Sequence, residues 1–310
     1  MSFEILNAGP LSTVQDLGRF GVMKNGFTQS GAMDQRSAKL ANLLVKNDMD
    51  CAVIEMTLMG ITARFDSDYI IAVTGGDFGS ALNDVPVKVN KAYRVKRGDV
   101  LKMGYAKSGV RAYLAISGGV NVPLVMNSRS TNLKSAIGGY KGRKLMNGDV
   151  VEVFDTDVAG LSMDNAELAP YDYSHDITVR AVLGPQDEMF TADDIKSFFS
   201  TAYKVTPQAD RMGIRLDGKT LQSKNGVDIL SDGIVFGSVQ IPKNGMPIVL
   251  MADHQTTGGY AKIATVISVD LPLLAQAKPG DVIRFEQVTV KEAEKAAKRA
   301  SKFYNKLRFY

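Results

Sequence analysis

A chain of 310 residues, 45% hydrophobic and 23% charged with a net charge of +4, has the composition of an ordinary soluble globular protein of one or two domains. That length buries a substantial core without staples, and a single cysteine, Cys51, excludes an intramolecular disulfide framework. The two histidines, His175 and His254, are too far apart to give zinc-ligand spacing, no apolar run reaches the ~18 residues of a membrane-crossing helix, and no signal-peptide text opens the chain. The expectation is a cytoplasmic protein with neither membrane nor nucleic acid as its partner.

Residues 5–9 read as an opening strand, followed by a polar loop over 9–19 in which Gln15, Asp16 and Arg19 cluster between glycines. Ser30, Gly31, Ala32 and Met33 lead into a helix that Asp34 N-caps and that runs to about Lys46 with Leu40, Leu43 and Leu44 on its apolar side. A hydroxyl and free N–H groups at that start favour anions, although capping alone accounts for Asp34. Short apolar runs at 52–57, 61–65, 69–74, 87–89, 100–103 and 110–116 alternate with Gly, Asn and Asp turns, the rhythm of a barrel or sandwich. No strand–helix–strand alternation appears, which argues against a doubly wound sheet. Ser128, Arg129, Ser130 and Thr131, followed by the glycine-rich 138–143, pack hydroxyls around a guanidinium, a group suited to a carboxylate or phosphate.

Gly-Asp turns at Gly98-Asp99, Gly148-Asp149 and Gly280-Asp281 each launch a β-branched strand. The texture changes after Val153 and after Phe285, which places one β-rich lobe at 1–155, a linker at 156–174, a second β-rich lobe at 175–288 and a basic helix over 289–310. That helix reads as a solvated face rather than a nucleic-acid or membrane patch. The second lobe opens with a strand at 177–183, then Gly184, Pro185, Gln186 and Asp187, then a capping box at Thr191 to Asp194 ahead of a short helix. Asp210, Arg211 and Arg215 read equally as paired surface charges or as ligand contacts.

The stretch 231–269 organises the rest. A strand ending in Gln240 and Ile241 turns at Pro242 to Gly245, returns over 246–252, and stops at the octet DHQTTGGY, residues 253–260, before strand text resumes at 263–269. A polar octet between buried strands approaches a ligand closely: Gly258 and Gly259 free their N–H groups, and Asp253, Gln255, Thr256 and Thr257 add donors and acceptors. A long hairpin turn explains the same residues. There is no phosphate loop, no dinucleotide fingerprint and no serine-hydrolase elbow, and Met23-Lys24 is too short an echo to be a biotin-attachment site.

Seven motifs carry a resemblance: GPLSTVQDLGR (9–19), SGAMD (30–34), RAYLAISGGVNVP (111–123), SRST (128–131), DRMG (210–213), QIP (240–242) and DHQTTGGY. In this order the chain resembles the KipA-like family, also called the C subunit of the bacterial ATP-dependent 5-oxoprolinase or allophanate hydrolase subunit 2. It is also similar to part of the carboxyltransferase domain of urea carboxylase. The resemblance implies a mainly β fold of two cyclophilin-like β-barrel lobes with a few short helices and a C-terminal helix. It implies a hydrolase acting on a cyclic amide, opening the lactam of 5-oxoproline to L-glutamate with ATP and Mg2+. Such an enzyme is active only with two further proteins, a KipI-like B subunit plus a LamB/YcsF-like A subunit. Other members imply a regulatory module that antagonises a KipI-like kinase inhibitor, or the carboxyltransferase lobe of a biotin-dependent urea or amide carboxylase. Carried onto this chain, Asp253, Gln255, Thr256 and Thr257 act on the amide, and Arg129, Ser128 and Ser130 hold a carboxylate or phosphate. Gln15, Asp16 and Arg19 line the opposite wall, with Gly258, Gly259, Tyr260 and Gln240 completing the substrate contacts; no metal ligand is implied. His254 and Ala261 depart from the family pattern, which has Arg and Pro there.

Overall fold

The computed structural model describes residues 1–161, 167–224 and 226–308, which divide into two units, Met1–Phe20 with Ser30–Tyr173 and residues 307–308, and Gly21–Gln29 with Ser174–Lys306. In the first unit the elements are β1 (Ser2–Asn7), β2 (Leu11–Gln15), α1 (Gln35–Leu44), β3 (Val53–Thr57), β4 (Thr62–Phe65) and β5 (Tyr69–Asp77). Then come β6 (Ala81–Leu82), β7 (Val85–Pro86), β8 (Lys91–Val95), β9 (Val100–Lys102), β10 (Ser108–Ile116) and β11 (Val150–Glu152). They form two antiparallel sheets, ordered β11-β1-β4-β9-β6-β7 and β2-β3-β10-β5-β8.

Strand parity explains the layering. On β5, Ile71 and Val73 face a core shared with Phe3, Ile5, Phe65 and Leu101 of the other sheet, while Ile70 and Ala72 face a second core built with Ala38, Ala41 and Leu44 of α1. A strand buried on both faces reads as an unbroken apolar run, as this one does. The first sheet ends in the two-residue β7, an edge position that suits Pro86, and the described strands of this unit form two sheets, the closed barrel being in the second unit.

The second unit contains β12 (Asp176–Leu183), α2 (Ala192–Ser200), β13 (Tyr203–Val205), β14 (Gly213–Asp217), β15 (Asp228–Gly233) and β16 (Ser238–Gln240). It continues through β17 (Ile248–Leu250), β18 (Thr257–Tyr260), β19 (Lys262–Val266), α3 (Leu271–Ala275), β20 (Val282–Gln287) and α4 (Val290–Arg308). Seven strands close a barrel in the order β12-β19-β16-β17-β14-β13-β20, with the parallel β12–β20 pair, Asp176↔Val282 to Ala181↔Gln287, sealing it. A separate two-stranded ribbon pairs β15 with β18. The Thr191 hydroxyl accepts the Asp194 N–H at the start of α2, and Phe198 on that helix stacks on Phe285 of β20 at 4.4 Å.

All three Gly-Asp turns share one construction. Gly98, Gly148 and Gly280 sit at φ +93, +85 and +96, and each following aspartate accepts the N–H three residues before it, from Lys96, Met146 and Lys278, at 2.7, 2.7 and 2.9 Å. Four expectations shift. Residues 11–15 form β2 instead of a loop, because Ser12, Thr13 and Gln15 are buried with partners. Residues 87–89 are not a strand; Asn90, at φ +60, breaks the chain there before β8. Only 238–240 of the strand expected before Gln240 is regular, and half of the octet is β18. Of the stretch read as a linker, 162–166 lie outside the described residues, whereas Leu168 N–H bonds to Asn90 and Tyr171 lies under Arg36 in the first unit.

Candidate functional site

Asp16 is the hub of a polar knot in the first unit. Its Oδ1 accepts the Gly18 N–H at 2.8 Å and the Ser128 and Ser130 hydroxyls at 2.7 and 2.5 Å, and its Oδ2 accepts the Arg129 N–H at 2.5 Å. Ser130 Oγ in turn accepts the Asp16 N–H, Ser128 Oγ accepts the Ser130 N–H, and a guanidinium N–H of the fully buried Arg19 donates to the Ser130 carbonyl. Gln15 Nε2 donates to the Thr131 carbonyl at 3.1 Å and to Thr13 Oγ1. The VQD and SRST motifs, over a hundred residues apart, are therefore each other's partners. The two serine hydroxyls point at Asp16, whose carboxylate fills the cradle that their chemistry suggests for an incoming anion. Arg129 is half-buried: its Nε donates to the Val122 carbonyl at 3.1 Å and its guanidinium lies over the Phe154 ring at 4.9 Å.

The glycines of 138–143 pack against this knot. A Cβ on Gly138 would collide with Arg19 and the Ser130 carbonyl, and one on Gly139 with Thr131, and both residues have positive φ. The same loop, with 121–123, Val125, Val150 and Glu152, walls a cavity of about 720 Å³.

In the second unit the DRMG and octet motifs meet. Arg211 Nε and Nη2 clamp Asp253 Oδ2 and Oδ1 at 2.8 and 3.1 Å, and the Asp253 N–H bonds to the Arg211 carbonyl. Both side chains are about nine-tenths buried, at 8% and 10% exposure. His254, fully buried, holds Nδ1 2.7 Å from the Gln255 carbonyl. Because a carbonyl only accepts, Nδ1 carries the proton and Nε2 is the bare acceptor, without a partner. Burial pushes this imidazole below its ordinary 6.5, with the Gln255 carbonyl and Asp253 opposing more weakly. Gln255 and Thr257 are exposed and Thr256 is half-buried, its carbonyl accepting the Ile234 N–H. Gly258 lies where a Cβ would press on Ile234 and on the buried Gln240, whose amide reaches the Tyr260 carbonyl at 3.5 Å.

Three residues outside the sequence reading of the site join this region. Lys262, next to Ala261, is buried and pairs with Asp232 at 3.0 Å, and Gln186 contacts both. An apolar-strand reading hides a lysine among alanines and isoleucines, and only the position of Gln186 after a Gly-Pro turn gave a signal. The Asp253–Arg211 clamp was equally invisible, since its halves are separated by an entire hairpin. Each proposed site residue thus falls in one of two clusters: Gln15, Asp16, Arg19, Ser128, Arg129 and Ser130 in the first unit, and Gln240, Asp253 and residues 255–260 in the second. Among the described residues, no group of three or more His, Cys, Asp or Glu side chains is placed to hold a metal ion.

Comparison with known proteins gives this geometry its context. The C subunit of the Haemophilus influenzae 5-oxoprolinase is 38% identical over 305 residues, covering 98% of this chain and 97% of its own, and that of Escherichia coli is 36% identical over 304 residues, with the same coverages. Among solved structures, the Kluyveromyces lactis urea amidolyase superposes with a TM-score of 0.92 at 30% identity, covering 99% of this chain and 20% of the larger one. Residues 25–287 match the carboxyltransferase domain, subdomain A and B, a span that takes in the octet, the Arg211 clamp and the SRST side of the knot but begins after Gln15, Asp16 and Arg19, and the chain belongs to that family.

Proposed function

We propose that this chain is the C subunit of an ATP-dependent 5-oxoprolinase, working with A and B subunits to open the lactam of 5-oxoproline to L-glutamate. The observation that carries this reading is end-to-end similarity to two proteins that bear that name, with nothing of either relative left unmatched beyond a few per cent. A lactam is a poor reactant at both its nitrogen and its carbonyl, so the task is to stabilise charge as it develops on the amide. Preorganised donors and acceptors shielded from water are the usual means. Asp253, fixed in one orientation by Arg211, accepts the amide N–H, and Gln255, Thr256 and Thr257 supply donors to the carbonyl oxygen. Gly258 and Gly259 keep the ribbon slim enough for a ring to approach, beside Tyr260 and Gln240. In the first unit, the Asp16 knot with Gln15, Arg19, Ser128 and Ser130 holds the 128–131 loop rigid so that the Arg129 guanidinium presents a fixed cation to a carboxylate or phosphate. ATP and its Mg2+ belong to the assembled enzyme. Mg2+ in such enzymes is held by one or two carboxylates together with the phosphates, and on this reading the nucleotide site is shared with or supplied by a partner subunit.

The test is 5-oxoproline-dependent ATP hydrolysis by this chain mixed with candidate A and B subunits. Asp253→Asn, which keeps the shape of the side chain, lowers turnover by about 10²–10³-fold on this reading. Turnover within twofold of wild type in a correctly folded variant removes Asp253 from the chemistry. A second reading has its own support in the 0.92 superposition on urea amidolyase: transfer of a carboxyl group to an amide from a biotin carrier on another chain. Biotin-dependent carboxylation of urea without lactam turnover selects it. Tight binding to a KipI-like protein with neither activity selects a regulatory role.

A further inference from the structure

Lys262 is the largest charged side chain of the barrel wall to be fully enclosed. It opens β19, its side chain is 2% exposed, and it shares strand parity with Ala264 and Val266, which pair with the core residues Val239 and Ala181. Enclosing an ammonium costs several kcal/mol unless charge and hydrogen bonds replace its water. Three N–H bonds are available, and the structure gives Nζ one partner, Asp232 Oδ2 at 3.0 Å.

Gln186 supplies the second half of the arrangement. Its Oε1 accepts the Lys262 N–H at 3.2 Å, which fixes the orientation of the amide, so Nε2 is the end that faces Asp232 Oδ2 at 3.3 Å. An ammonium from the start of β19 and an amide N–H from the loop after β12 thus converge on a single carboxylate oxygen. That carboxylate sits on β15, whose residues 228 and 230–233 are exposed except for a half-buried Ile229, with Leu230 at 95%; Asp232 itself is 54% exposed. The ammonium is enclosed and the amide half-buried, whereas the acceptor is on the solvent-facing ribbon.

We propose that Lys262 and Gln186 form the carboxylate-binding end of a small-molecule site, which Asp232 occupies in the free protein and leaves when ligand enters. The identity of the ligand rests on the functional reading above, in which 5-oxoproline brings a ring carboxylate; Lys262 and Gln186 take that carboxylate, which leaves Arg129 for a phosphate. A second carboxylate beside a docked Asp232 would put two anions on one ammonium, so entry and departure are coupled. Asp232 then acts as a competitor within the chain, and removing its charge strengthens binding. A lysine that merely pins the ribbon predicts the opposite or no effect.

The experiment is calorimetric titration of the full chain with 5-oxoproline and with 2-pyrrolidinone, the same ring without the carboxylate. Wild type binds 5-oxoproline more tightly than 2-pyrrolidinone by at least about tenfold, the worth of one charge-assisted contact. Asp232→Asn tightens 5-oxoproline by about tenfold and leaves 2-pyrrolidinone unchanged, and Lys262→Met abolishes the preference. Should Lys262→Met fail to fold by circular dichroism, the comparison of Asp232→Asn with wild type decides alone. Weaker or unchanged 5-oxoproline binding in Asp232→Asn overturns the proposal, as does no saturable binding to either protein. The two readings fail separately: carboxylate-dependent binding that responds to Asp232→Asn, without lactam turnover in the assembled enzyme, upholds the site and rejects the 5-oxoprolinase assignment. Lactam turnover with no response to Asp232→Asn does the reverse.

Discussion

His254 shows how one buried side chain sets a pH limit on the fold. The ring is neutral in the native state, Nδ1–H to the Gln255 carbonyl and Nε2 bare, and burial holds its proton affinity below the ordinary value of 6.5. The unfolded chain exposes the same imidazole to water and protonates it as pH falls through about 6.5. Below that point the unfolded state binds the extra proton, so stability is complete above about pH 6.5 and is lost as pH falls, by up to ~1.4 kcal/mol per pH unit for one proton. Urea denaturation between about pH 5 and pH 7.5 reads this slope, and His254→Gln, which keeps a donor for the Gln255 carbonyl without titrating, flattens it by that amount. An equal slope in the variant assigns the pH dependence to other groups. For the neighbouring Asp253 the bidentate clamp to Arg211 fixes the orientation of the carboxyl group, the condition for an acceptor that must not reorient when an amide arrives.

At the scale of elements, close approach separates two kinds of glycine. Gly139 and Gly148 both have positive φ, +54 and +85, but an added Cβ at Gly148 meets nothing, whereas at Gly139 it runs into Thr131. Thr131 cannot retreat without releasing its hydroxyl bond to the Val14 carbonyl at 3.0 Å, which ties it to β2. Gly148→Ala therefore costs about 1–2 kcal/mol for its backbone alone. Gly139→Ala costs about 1–3 kcal/mol more for overpacking and loosens the Asp16 knot. Chemical denaturation of the two variants side by side measures the difference, and equal costs would mean that the loop yields freely. The same elements show what was legible in the sequence. The caps of α1 and α2 and the Gly-Asp turns were readable because their signals lie within three or four residues, and α4 because its basic, alanine-rich text is continuous. β2 was not: Ser12, Thr13 and Gln15 look like loop residues until partners at 130–131 and 145 bury them, and no local pattern reveals such partners. The octet carried its chemistry openly, but its pairing with β15, and the clamp that fixes Asp253, depend on segments some 25 to 40 residues upstream.

For the whole molecule, the question is which parts of the chain the barrel needs. β20 closes it, in six parallel register pairs with β12 and an antiparallel pairing to β13, and Phe285 joins Phe198 and Tyr203 in an aromatic cluster whose members are each worth about 1.5–3 kcal/mol on burial. α4 follows with a capping box, Glu292 accepting the Thr289 N–H at 2.8 Å, yet none of its described residues is fully buried. Removing 289–310 therefore leaves a protein that melts cooperatively a few degrees lower, by the usual ~4–8 °C per kcal/mol for a domain of about a hundred residues. Removing 282–310 exposes the edges of β12 and β13 and the aromatic cluster, and the second unit loses its cooperative transition. Thermal melts followed by near-ultraviolet circular dichroism separate the two outcomes, and a cooperative melt of the shorter chain would show that the barrel does not depend on closure by β20. Closure also bears on function: β12 lies between β20 and β19 in the barrel order, so an opened seam frees the strand beside Lys262. The shorter chain accordingly loses the carboxylate preference, while the chain ending before α4 keeps it.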